Sequence, residues 1–165
     1  MSHVFEVEQW IEAPLERVFR FFSDPRNLSV ISPPSSGARL QNLHLVAPQV
    51  QGVEGLERLA GAGSEIVISV RLLPYFPLRH TWTARVVEYQ WCEHFRDVQV
   101  EGPFKKFDHT HSFKAERDGT RLTDHVEYEV GFGPAGRMAD FLLVRSILRQ
   151  MFTYRHAATA RALER

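Results

Sequence analysis

Four runs of strand-like alternation follow one another through the second half of this chain, at roughly 78–89, 92–100, 104–116 and 120–131, and the pattern then turns helical from about 135 to 162. The connectors are Gln90-Trp91, Gly102-Pro103 and Asp118-Gly119. Links this short return a strand antiparallel beside its predecessor. Asp-Gly between alternating runs is also a strong signal for a two-residue hairpin. A sheet of consecutive hairpins followed by one long helix predicts an α+β domain in which the helix covers the inner face of the sheet.

The first half adds to that plan. Val4 to Ile11 alternates with period two and reads as a strand. Pro14 suits the first turn of a short helix whose apolar face holds Val18, Phe19 and Phe22. Ser23-Asp24-Pro25 stops it, with Asp24 as cap and Pro25 as first residue of a second short helix carrying Leu28 and Ile31. Arg39–Val46 and Ser64–Leu73 read as strands, and residues 47–63 as mostly loop. The expected architecture is a curved antiparallel sheet of about seven strands with two short helices after the first. The 165 residues fit a single domain over 1–165, large enough for a core and a cavity.

The hairpins define a register. With Arg117 opposite Thr120, His111 faces Val126 and His109 faces Tyr128; with Gln99 opposite Phe107, Asp97 faces His109. With Tyr89 opposite Cys92, Trp82 faces Gln99, Ala84 faces Asp97 and Val86 faces Phe95. One face of the sheet then carries Trp82, Val86, Phe95, Phe107, Phe113 and Tyr128, and the other carries the charges. A one-residue slip would exchange the two faces. Asp97, Gln99, His109, His111 and Asp124 fall on the apolar face, where a polar group without a partner costs roughly 2–7 kcal/mol. In the last helix Phe141, Val144, Leu148, Met151 and Phe152 share one broad side, and Arg155 sits near its middle.

Composition narrows the function. Twenty basic and twenty acidic residues cancel, which argues against a nucleic-acid partner. The single cysteine, Cys92, excludes an intrachain disulfide and a Cys-rich zinc site. No apolar run approaches the ~20 residues of a membrane span. MSHVFEVEQW lacks the signal-peptide pattern, so a cytoplasmic location is expected.

Several stretches resemble the START-like superfamily, also called SRPBCC, and within it the bacterial branch of polyketide cyclase/dehydrase-like, ligand-binding proteins. They are Ile11-Glu12-Ala13-Pro14-Leu15-Glu16-Arg17-Val18-Phe19 and Phe22-Ser23-Asp24-Pro25-Arg26-Asn27-Leu28 near the start. Further along come Phe95-Arg96-Asp97-Val98-Gln99, Gly102-Pro103-Phe104, His109-Thr110-His111-Ser112-Phe113 and Phe152-Thr153-Tyr154-Arg155. The resemblance spans nearly the whole chain. It departs at Val130-Gly131-Phe132-Gly133, where Pro-Phe-Gly is usual, and at Phe107, where a Trp is usual. It implies the helix-grip fold and an internal pocket, but no reaction, because fold does not fix function.

The leading expectation is the binding or carrying of a small, largely hydrophobic molecule of lipid, polyketide or aromatic type between sheet and helix. Trp82, Phe95, Phe107, Phe141, Leu148, Met151 and Phe152 are its expected apolar contacts. Asp97, Gln99, His109, His111, Asp124, Tyr128 and Arg155 are the expected polar ones. The alternative is a cyclase, dehydratase or isomerase without a redox cofactor, using Asp97, His109 and Tyr128 as an acid–base group. An interaction module that dimerises is a third reading, and a monomer and a homodimer are both open. His109 and His111 place two imidazoles on one face, as a metal site can, with Asp97 or Asp124 as third ligand. The preferred reading is a hydrogen-bonded pair, with no metal or cofactor. Arg155 has two readings, an anchor for a ligand carboxylate or carbonyl, or a buried ion pair with Asp124 or Asp97.

Overall fold

A computed structural model describes residues 2–71, 77–131 and 143–163. The chain runs β1 (His3–Ile11), α1 (Leu15–Ser23), α2 (Leu28–Ile31), β2 (Arg39–His44), β3 (Glu65–Val70), β4 (His80–Gln90), β5 (His94–Glu101), β6 (Lys106–Glu116), β7 (Gly119–Glu129) and α3 (Arg145–Leu163). The seven strands form one curved antiparallel sheet in the order β1-β7-β6-β5-β4-β3-β2. This is the helix-grip α+β fold. Phe141, the Pro74 turn and the start of the last helix lie outside the described residues.

Local chemistry sets the short helices. Pro14 precedes α1 with an extended backbone, φ −60° and ψ 144°. Val18 and Phe19 are buried on the inner side of α1. Pro25 disfavours helical geometry in the residue before it, so α1 stops at Ser23. Asp24 Oδ1 then accepts from the Arg26 amide at 3.0 Å and caps a 3₁₀ turn, Pro25–Asn27, which leads into α2. In α3, Leu148, Phe152, Arg155, Ala158, Thr159 and Leu163 are buried, a spacing that puts all six on one stripe of the helix.

Two of the three expected hairpin registers differ from those observed. Between β6 and β7, Glu116 faces Gly119, and the turn is Arg117-Asp118 rather than Asp118-Gly119. Arg117 takes the left-handed conformation with φ 55°. Gly119 is needed for a different reason. A Cβ there would collide with the Ile11 carbonyl and the Trp10 ring on the adjoining strand. His111 therefore faces Asp124, His109 faces Val126 and Phe107 faces Tyr128. Between β4 and β5 the turn is Trp91-Cys92-Glu93, with Cys92 at φ 58°. The register shifts again between Val86 and Glu88, so Val86 faces Asp97, Ala84 faces Gln99 and Tyr89 faces Phe95. This bulge leaves Val87 exposed and turns Tyr89 inward beside Phe95 and Phe19. The β5–β6 register is as expected, with Asp97 opposite His109.

Among the described residues the core divides in two. One cluster surrounds Phe19, whose ring takes edge contacts from Tyr89, Trp91, Phe95 and Phe113 at centroid distances of 5.0–5.9 Å. The other packs Phe5, Phe107, Val126 and Tyr128 of the sheet against Leu148 and Phe152 of α3. His109, His111 and Asp124 are buried too, and their ring contacts reach both clusters: His111 lies beside Phe95, and His109 beside Phe107 and Phe152.

Candidate functional site

Between the sheet and the helices lies a cavity of about 470 Å³. Pockets that hold small molecules measure about 300–1,000 Å³. Its sheet wall comes from alternate residues of β3 and β4, namely Ile66, Ile68 and Val70, then Trp82, Ala84 and Val86, continued by Phe95 and Phe107. Phe21, Phe22, Leu28 and Ile31 close one side from α1 and α2. Leu148, Met151, Tyr154 and Arg155 close the other from α3. Asp97, His109 and His111 are the polar residues of the sheet wall, so a mainly apolar chamber has a compact ionisable group on one side.

That group is arranged diagonally across three strands. Asp97 is the backbone partner of His109, and Asp124 that of His111. The side chains cross over. His109 Nε2 makes a 2.9 Å hydrogen bond with Asp124 Oδ1. His111 Nδ1 comes within 2.7 Å of the same oxygen, and its Nε2 lies 3.6 Å from Asp97 Oδ1. Asp124 Oδ2 has no hydrogen-bond partner among the described residues. The imidazole centroids are 3.8 Å apart.

Burial and charge divide the titrations. Burial pushes the Asp124 carboxyl up, but the two imidazoles outweigh it and hold the group far below the usual carboxylate range. Asp97 is held low in the same way: burial raises it, and His111 and His109, with help from Arg155, more than reverse this. Burial and the neighbouring His111 drive His109 down. For His111 burial is overcome by Asp124 and Asp97, and its basicity rises. One imidazole readily takes a proton and its neighbour resists one.

Arg155 is the second polar feature of the wall. It is 9% exposed, and its guanidinium carbon stands 5.2 Å from the centre of the Phe152 ring. Among the described residues its Nε has no hydrogen-bond partner, and no carboxylate oxygen lies within the 4.0 Å of an ion pair. Burial lowers its pKa, while the fields of Asp124 and Asp97 support its charge from a distance. Of the two readings of Arg155, the buried ion pair is absent among the described residues.

Several expected contacts sit elsewhere. Trp82, Phe95, Asp97, Phe107, His109, His111, Leu148, Met151 and Arg155 line the cavity. Asp124 lies behind the wall at 0% exposure and acts on the histidines. Gln99 does not reach the chamber. Its amide donates to the Phe104 carbonyl at 2.7 Å and accepts from the Phe104 amide, bracing the β5–β6 connection. Tyr128 belongs to the core, facing Phe107 and stacked on His3, so the expected Asp97–His109–Tyr128 set is replaced by Asp97, His111, Asp124 and His109. Phe152 packs behind the wall on Phe5. The expected set lacked the β3 residues and the α1–α2 side. The alternation of Ile66, Ile68 and Val70 was the available signal for the first.

The sequence pattern of the family described as polyketide cyclase / dehydrase and lipid transport matches residues 11–152. The chain belongs to this family. Its fold is shared by an aromatase/cyclase of Streptomyces sp. R1128, with a TM-score of 0.72, 13% identity and coverage of 100% of this chain and 95% of that one. A START superfamily protein of Mycobacterium smegmatis matches with a TM-score of 0.66, 14% identity, and 98% and 97% coverage. A protein of Thermus thermophilus matches with a TM-score of 0.68, 20% identity, and 97% and 99% coverage. No curated protein matches by sequence. None of the described helices is long and apolar enough to cross a membrane.

Proposed function

We propose that the protein binds a small, largely apolar molecule in the chamber between sheet and α3, and that an acidic or carbonyl oxygen of this molecule docks on Arg155. The observation that carries the reading is a buried guanidinium on the wall of an apolar cavity, without an ion-pair partner among the described residues. A buried cation lacking a counter-ion is costly, and a carboxylate brought by a ligand removes that cost with two parallel hydrogen bonds. The aromatic wall at Trp82, Phe95 and Phe107 supplies flat apolar surface for the rest of the guest. The family's description, which joins cyclases and lipid transport, accords with such a guest.

The test is displacement of an environment-sensitive fluorophore by a matched series of aromatic and fatty acids and their methyl esters. The acids are expected to bind more tightly than the esters, and Arg155→Met to remove the difference. A charge-assisted hydrogen bond of about 1.5–3 kcal/mol corresponds to roughly a tenfold to hundredfold preference. Unchanged affinity for both acids and esters in Arg155→Met would overturn the docking role, and no displacement by any member would overturn the binding reading.

A second reading rests on a separate observation, the presence of His109 and His111 on the cavity wall with Asp124 behind them. His109 of lowered basicity next to His111 of raised basicity resembles the paired groups of general acid–base catalysis, so a bound guest could be cyclised, dehydrated or isomerised. Here Asp124, not Asp97, would orient His109. His109→Ala is expected to stop conversion of any processed ligand while leaving its binding intact, and unchanged turnover would exclude this reading.

A further inference from the structure

We infer that Asp97, His109 and His111 form a binding site for one divalent transition-metal ion, of the zinc or cobalt kind, opening into the cavity. One potential ligand atom from each of the three residues lies within 4.8 Å of the other two. At metal–ligand bonds of about 2.0–2.2 Å, tetrahedral ligand atoms stand roughly 3.3–3.6 Å apart. His111 Nε2 and Asp97 Oδ1, at 3.6 Å, are already near that separation. The remaining convergence is about an ångström, within reach of side-chain rotation.

Asp124 decides which carboxylate is the ligand. It is fully buried, hydrogen-bonded to Nε2 of His109 and 2.7 Å from Nδ1 of His111. The opposite nitrogens, Nδ1 of His109 and Nε2 of His111, are the ones a metal would take. A carboxylate behind a ligating imidazole is the usual partner of a metal-bound histidine, because it sets the ring and strengthens it as a donor. Asp97, by contrast, lines the cavity and keeps 19% of its side chain exposed. Two histidines and one carboxylate leave a fourth position free, and here it faces the chamber, where the oxygen of a guest could occupy it.

Titration of the intact protein with cobalt(II) alone tests the site through its visible absorption, and this readout does not depend on any organic ligand. One equivalent is expected to give the spectrum of a low-symmetry, four-coordinate ion with nitrogen and oxygen ligands. Asp97→Asn and His111→Gln, checked for folding by near-ultraviolet circular dichroism, are each expected to abolish it. Asp124→Asn is expected to weaken binding by about 10–100-fold, as loss of such a supporting carboxylate does. The double substitution His94→Gln with His125→Gln, at partly exposed positions outside the cavity lining, is expected to leave it unchanged. Absence of the spectrum in the native protein, or its persistence in both Asp97→Asn and His111→Gln, would overturn the assignment.

Discussion

Asp124 controls more of this molecule than its size suggests. One oxygen, Oδ1, is hydrogen-bonded to His109 and lies 2.7 Å from Nδ1 of His111, with both imidazoles and the carboxylate buried. Asp124→Ala is expected to destabilise the fold by about 1–3 kcal/mol as the buried His109 loses its acceptor, read as a lowered midpoint in urea with little change in slope. Arg117 offers a gain instead. It is exposed and held at φ 55°, a conformation in which an L side chain is strained and glycine is not. Arg117→Gly is expected to stabilise by roughly 0.5–1 kcal/mol, raising the thermal midpoint by a few degrees. At this scale the sequence was legible in part. The identity of the polar residues on the inner face could be read from alternation, but their partners could not. Whether His109 bonds to Asp97 or Asp124 depends on a two-residue shift in the neighbouring hairpin, and both pairings keep every side chain on the same face.

The elements were easier to read than the contacts between them. Period two in β4–β7 and the Ser23-Asp24-Pro25 break both correspond to observed boundaries, because they rest on steric rules local to a few residues. Turn geometry was harder. The β4–β5 link accommodates Cys92 in the left-handed region and a bulge at Val87, and neither residue type advertises this. Phe19 is one of the side chains that tie helix α1 to the sheet. Phe19 is fully buried and touches four aromatic rings from β4–β6 and the intervening turn. Phe19→Ala is expected to cost about 3–5 kcal/mol in chemical denaturation, the range for a large buried aromatic. Part of that loss should appear as detachment of α1 from the sheet, seen as faster amide exchange in Val18–Ser23 than in β6.

Across the whole molecule, the sheet wall and the cover of the chamber come from different parts of the chain. β3–β6 supply the wall, whereas α1–α2 and α3 approach from opposite ends of the sequence. Neighbouring hairpins close short loops, while seating the cover closes long ones, which is the slower and less favoured step. Amides of β5–β7 are expected to exchange more slowly than those of α2, and a bound guest should slow α2 and α3 more than the sheet. The order in which walls are laid down was implicit in the alternation of the sequence, but the cavity was not, since an aromatic inner face is equally compatible with a solid interior. The Arg117-Asp118 turn carries a further consequence, for how such a sheet can be lengthened or shortened over generations. Adding or removing residues there in pairs keeps the chamber lining facing the chamber. β6 stays seated on β5, so a change of one, uncorrected by a bulge, would turn Leu122, Asp124, Val126 and Tyr128 of β7 outward, strip the chamber histidines of Asp124 and bring Thr123, His125 and Glu127 inside. Length variation at this hairpin should therefore be even-numbered wherever the chamber is retained.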